Sequence, residues 1–200
     1  PPASVQIDWT FSDGNSGSQG TGGALTATGS TIVAITAAND APVITNLTGD
    51  ALAYSAGAGP VVIEQGSNAV VSDADSVDFN GGTLTVSFAA GGVNAQDVLA
   101  VRNQGYAAGE ISVSGYGVAY GGTLIGTVNG GRNGNPLLIA LNANATPTAV
   151  SALLKNITYQ NADSGGTTGG ARTVRFALTD GDGGISANYD TTVTVTASND

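Results

Sequence analysis

The sequence predicts an all-β protein, a β-sandwich carrying one short helix, and three observations predict it. Short runs of β-forming residues recur at spacings of about ten residues, which signals stacked antiparallel strands rather than a parallel sheet. The 31 glycines among 200 residues fall mainly in the turns between those runs. The stretch Thr36-Ala37-Ala38-Asn39-Asp40-Ala41-Pro42 is nearly repeated by Thr196-Ala197-Ser198-Asn199-Asp200, with Asn39 and Asn199 160 positions apart. Each copy closes an alternating run, Thr31 to Thr36 and Thr191 to Thr196, so the pair marks one unit of an array. Residues 1–38 then read as the C-terminal hairpin of a preceding repeat, and residues 39–200 as one complete repeat.

In order along the chain, Val5, Ile7, Trp9 and Phe11 alternate with Gln6, Asp8 and Thr10, the period of a half-buried strand. Trp9, the sole tryptophan, is expected in a core. A loop beginning Ser12-Asp13-Gly14-Asn15 turns the chain, and Thr31 to Thr36 returns it. The segment Thr173 to Gly184 has the same layout, an alternating strand followed by Asp180-Gly181-Asp182. The first copy has a loop seven residues longer. A lone hairpin is marginal in water, so it is expected to dock on the remainder of the chain or to pair with another copy.

From Pro42 onward the candidate strands are Val43 to Leu47, Leu52 to Tyr54, Val61 to Glu64, Ala69 to Val71, Thr83 to Phe88, Val98 to Val101, Ile111 to Val113, Val118 to Tyr120 and Leu124 to Val128. Ile157 to Gln160 and the closing hairpin complete the set. One segment departs from this pattern. Thr146 is a capping residue, Pro147 occupies the first helical position, and Val150, Leu153 and Leu154 share a helical face, which predicts a helix of two to three turns.

Composition limits the chemistry. Cysteine, methionine and histidine are all absent, and 15 acidic residues face 5 basic ones for a net charge of −10. Without cysteine there is no disulfide framework or thiol chemistry. Without histidine, the usual general bases and catalytic zinc sites are missing, and no phosphate loop or dinucleotide fingerprint occurs, so a non-enzymatic role is expected. The charge disfavours nucleic acid and anionic membrane, and it invites calcium. No run of 18 apolar residues occurs, so no membrane span is expected, and any export signal is expected outside this stretch.

A repeat that follows Asn39-Asp40-Ala41-Pro42, carries Val62-Ile63-Glu64-Gln65-Gly66 and then Val71-Ser72-Asp73-Ala74-Asp75, and closes with Val174 to Gly184 and Thr192 to Thr196 is similar to the cadherin-like tandem repeats of large bacterial surface and secreted proteins. Adhesins of the RTX type, exported by type I systems, are among them. The resemblance implies a Greek-key, cadherin- or immunoglobulin-like sandwich, strung with neighbouring repeats into a rod and rigidified by Ca2+ at the junctions. It further implies that Glu64, the pair Asp73 and Asp75, and the linkers Asn39-Asp40 and Asn199-Asp200 contribute ligands. Asp73 and Asp75 are expected to face Asn39-Asp40 and Asp13. Asp180 is assigned with Glu64 to the far end near Asp200, the end that Glu64 serves being left open.

Asp180-Gly181-Asp182 also resembles one turn of a glycine-aspartate calcium repeat, so Asp182, like Asp13, is a candidate ligand. Each reading has a plainer rival. The plainer readings are a solvated turn for Asp73-Ala74-Asp75 and hairpin turns for Asp13-Gly14-Asn15 and Asp180-Gly181-Asp182. Asn39-Asp40 reads as a polar linker stiffened by Pro42. Tyr106, Tyr116 and Tyr120 form either a sugar-stacking platform or ordinary strand surface. The expected function is a calcium-stabilised structural spacer of a large extracellular adhesin at the bacterial cell surface. The alternatives are a carbohydrate- or partner-binding module, and homophilic association by strand exchange.

Overall fold

The structure is a computed structural model that describes residues 3–15, 23–162 and 166–197. The second junction, Asn199-Asp200, lies outside the described residues. The chain divides into two compact units, Pro1–Ala38 and Asn39–Asp200.

The first unit is an antiparallel ribbon of β1 (Ser4–Ser12) and β2 (Thr26–Ala34), paired from Ser4↔Ala34 to Ser12↔Thr26. The alternation of β1 forms the expected strand but buries neither face, since every residue of the strand is exposed. Trp9 is 51% exposed, contrary to its expected place in a core. A two-stranded ribbon has no second layer of its own to cover an apolar face. Across the strand pair Trp9 opposes Gly29, and its indole occupies the space a Cβ would fill there.

The second unit contains β3 (Val43–Thr45), β4 (Ala51–Ser55), β5 (Val61–Val62), β6 (Val70–Ser72), β7 (Thr83–Ala90), β8 (Asp97–Val101), β9 (Ile111–Ser114), β10 (Gly117–Tyr120), β11 (Thr123–Gly130), β12 (Leu137–Leu141), α1 (Pro147–Leu154), β13 (Ile157–Asn161), β14 (Gly170–Leu178) and β15 (Tyr189–Thr196). Eight strands form one sheet in the order β4-β15-β14-β7-β12-β11-β10-β9. A three-stranded sheet β5-β13-β8 and the pair β3-β6 make up the remaining strands. The protein is thus all-β with one short helix, a sandwich whose sheets share one apolar core. The layers meet at Tyr159 of β13, whose ring stands edge-on to Tyr54 of β4 at 4.8 Å and to Phe88 of β7 at 6.1 Å.

Helix α1 forms where its capping signals place it. Thr146 Oγ1 accepts the N–H of Ala149, Pro147 opens the helix, and Val150, Leu153 and Leu154 are buried. Ser151, on the same helix, accepts the N–H of Val71 at 2.8 Å and donates to the Pro147 carbonyl, tying the helix to β6. Strand β12 has no counterpart among the strands expected from sequence. Leu137, Ile139 and Leu141 are buried while Leu138 and Ala140 are exposed, but every residue is apolar, so the alternation is invisible in the residue types.

The two hairpins share one register. Ile7↔Thr31 and Val5↔Val33 in the first unit correspond to Val174↔Thr191 and Arg172↔Val193 in the second, displaced by 167 positions on the leading strand and by 160 on the returning one. In the second unit the hairpin is flanked on both sides: β14 pairs with β7, and β15 pairs in parallel with β4.

A polar network is buried near the start of β8. Asp97 Oδ1 accepts the Tyr159 hydroxyl at 2.6 Å, and its Oδ2 accepts Arg172 Nε at 3.1 Å and the N–H of Val93 at 2.7 Å. Arg172 donates further to the carbonyls of Gly170 and Thr168, so both buried charges are paired and hydrogen-bonded. Burial, and then the hydrogen bond to Asp97, push the Tyr159 hydroxyl well above its ordinary range.

Candidate functional site

The linker Asn39-Asp40-Ala41-Pro42 enters the second unit beside two acidic turns. Pro42 and Ile44 are buried and anchor the segment. Ahead of them, Asn39 Nδ2 donates to Asp180 Oδ2 at 2.8 Å, and the Asp40 N–H donates to the two oxygens of Asp75 at 3.2 and 3.3 Å. The linker therefore bonds to the turn after β14 with Asn39 and to the turn after β6 with Asp40.

Asp180 is buried. Its Oδ1 accepts the N–H groups of Asp182 at 2.8 Å and Gly184 at 2.9 Å, leaving Oδ2 for Asn39. Burial acts to raise its pKa. The Asn39 amide and the backbone N–H groups of Asp182, Gly184 and Gly183 outweigh that and hold the carboxyl below its usual range. Gly184 permits this arrangement. A Cβ there would run into Asp180 Oδ2 and would lie 2.8 Å from both Asn39 Nδ2 and the Asp40 carbonyl.

Asp73 organises the other turn. Its Oδ1 accepts the N–H of Asp75 at 3.1 Å and of Ser76 at 3.0 Å, the Asx geometry expected of aspartate in a turn. Its Oδ2 is shut off from solvent and has no hydrogen-bond partner among the described residues. Asp75 is pushed above the usual carboxylate range, first by partial desolvation and then by the Asp73 side chain, through hydrogen bonding to the protonated form and through its charge, and by the Asp40 charge, against the opposing pull of the Asp40 N–H. Asp40, Asp73, Ala41, Val43, Ser72 and Ala74 line a shallow cleft here.

Of the residues expected from sequence, the structure brings Asn39, Asp40, Asp73, Asp75 and Asp180 to this end of the unit. Asp180 was expected at the far end, and its bond to Asn39 corrects that. The β14–β15 turn lies beside the linker because β14 runs back toward it. Asp182 contributes its backbone N–H to Asp180, and its own side chain is exposed. Glu64 stands apart, on the other side of β6. It is buried, and its carboxylate accepts the N–H groups of Ser67, Asn68 and Ala69 at 2.7, 2.8 and 3.1 Å, which makes it the clamp of the loop leading into β6. In the first unit, Asp13 Oδ1 accepts the N–H groups of Asn15 and Leu25, a turn built like that of Asp180.

The donors at the linker are all oxygens, the set a hard cation such as calcium prefers. Among the described residues no group of three or more acidic side chains is arranged to hold a metal ion on its own. An ion at Asp73 and Asp75 would thus draw further ligands from backbone carbonyls or water, as calcium readily does. Sequence reasoning missed two contributors, Gly184 and the pairing of Asn39 with Asp180. They are 141 or more positions apart in the chain, and no local pattern links them. Comparisons with protein families, with curated proteins and with solved structures find no match to this chain.

Proposed function

We propose that residues 39–200 are a calcium-stabilised structural repeat of a large extracellular adhesin, and that residues 1–38 are the closing hairpin of a like repeat before it. The observation that carries the calcium reading is Asp73 Oδ2, a carboxylate oxygen closed off from water that accepts no hydrogen bond among the described residues, beside a neighbour whose ionisation its own charge disfavours. A buried acceptor left unpaired is costly, and two carboxylates at close range repel unless a cation stands with them. The shared register of the β1–β2 and β14–β15 hairpins supports the repeat reading.

Asp73 and Asp75 would hold the ion, with Asp40 close by. When bound, calcium supplies positive charge and six to eight coordination positions. The chain's own part is to fix the linker. Asp40 is tied to Asp75 and Asn39 to Asp180, so the direction in which the linker leaves the unit is coupled to the conformation of both turns. Orienting successive repeats in this way is the mechanical role of a spacer.

Melting of the whole chain in calcium and in chelator tests the reading. Binding to the folded state alone at a hundredfold excess over Kd adds about 2.7 kcal/mol, a rise of roughly 5–10 °C for a domain of this size. Coincident melts in the two conditions would refute it.

A further inference from the structure

Two of the chain's five basic side chains converge on one groove. Arg172 pairs with Asp97 and Arg175 with Asp190. Arg102 and Lys155 have no carboxylate partner among the described residues, yet both line a groove of about 500 Å³ between α1, β10 and the loop that follows β8. Cations gathered in one concavity of a chain with net charge −10 are placed against the prevailing field.

Arg102 is also oriented. Its Nε donates to Asn156 Oδ1 at 2.8 Å, and its backbone N–H donates to the Asn156 carbonyl at 2.8 Å. Asn156 is buried and fixed in turn by donating to the Ala152 carbonyl at 2.8 Å. This sets the plane of the guanidinium, and no acceptor among the described residues takes its Nη groups. Two acidic side chains that hydrogen-bond at or next to the lining segments are engaged elsewhere. Glu64 accepts the N–H of Ser67, Glu110 accepts the N–H of Ala107, and neither lines the groove.

The rest of the lining is of another kind. Ser67, Gln104 and Thr148 offer hydroxyl and amide groups, and Tyr120 offers a ring. Gln104 uses its Oε1 to accept the N–H of Ile111, which leaves its amide N–H groups to donate. The volume falls in the range of small-molecule sites and exceeds what a bare anion fills. We propose that this groove binds an acidic sugar, a uronate whose carboxylate is met by Arg102 and Lys155 while its hydroxyls are met by Ser67, Gln104 and Thr148. The site lies apart from the acidic linker and does not rest on the calcium reading.

The test is an NMR titration of the isotope-labelled whole chain in calcium-free buffer, since uronates themselves bind calcium. The probes are digalacturonate, the neutral disaccharide cellobiose, and sodium acetate. Digalacturonate is expected to shift the backbone amides of Arg102, Gln104, Lys155 and Ser67 at millimolar concentration, and Lys155→Gln to weaken it about tenfold, the worth of one hydrogen bond to a charged group. Cellobiose and acetate are expected to leave those amides nearly unmoved. The proposal fails if digalacturonate shifts nothing at tens of millimolar, or if acetate shifts the same amides as strongly, which would leave a bare anion patch. It fails equally if cellobiose matches digalacturonate. These arms are read on the unsubstituted chain and so do not depend on how the variant folds.

Discussion

Asp180 and Asp75 each accept a hydrogen bond from the same short linker, and their surroundings push them in opposite directions. Asp180 is depressed, so its stabilisation is fully present above its ordinary value of 3.8 and is lost as pH falls through the lower, folded value. Replacing it by alanine orphans Asn39 Nδ2 and the N–H groups of Asp182 and Gly184, with an expected loss of about 3 kcal/mol in urea unfolding. Asp75 is raised, so its ionisation opposes folding above the folded value, and protonation relieves that cost as pH falls through it. Asp75→Asn is therefore expected to melt higher than the unsubstituted chain at neutral pH in chelator, with the gap closing on acidification, and to lose the calcium-induced rise. A lower melt in chelator would contradict the repulsion argument. Gly184→Ala drives a methyl against Asp180 and Asn39, and is expected to cost about 1–3 kcal/mol and to free the linker, seen as faster amide exchange at Asp40.

At the scale of elements, strands and helix differ in how far their residues announce them. Helix α1 was legible because Thr146, Pro147 and the Val150–Leu153–Leu154 face are local signals for one structure, and all of them act as local chemistry requires. Strand β12 was not, because a uniformly apolar run hides which residues face the core. Trp9 misled for the opposite reason: its alternation is clear, but burial depends on a covering layer that no strand pattern specifies. The Asp97–Tyr159–Arg172 network joins residues 62 to 75 positions apart, beyond any motif. Asp97→Ala is expected to cost about 3–5 kcal/mol, because Arg172 is left charged and buried without its partner. The double replacement Asp97→Leu with Arg172→Met should lose far less, and chemical denaturation of the two variants compares them directly. At the candidate site, the Asp-Gly and Asp-Ala-Asp turns were legible as turns. Their meeting at the linker was not, because it depends on where β14 ends relative to β6.

On the scale of the whole molecule, the near-repeat of Asn39-Asp40 at Asn199-Asp200 was the feature that divided the chain, and the contact pattern divides it at the same place. What lay beyond sequence was the sheet order, above all the parallel placement of β4 beside β15 in the register Thr192↔Ala51 to Thr196↔Ser55. That placement governs how the unit answers tension. The two strands run the same way, one near each end of residues 39–200, so a pull applied at those ends drags them past each other lengthwise. Their hydrogen bonds are strained together in shear, whereas handles at Ser55 and Ala197 would peel the pair open from its common end, bond by bond. Optical-tweezers extension should therefore require more force from the termini than from that second pair of handles. Equal forces would mean that the β4–β15 seam is not what resists stretching.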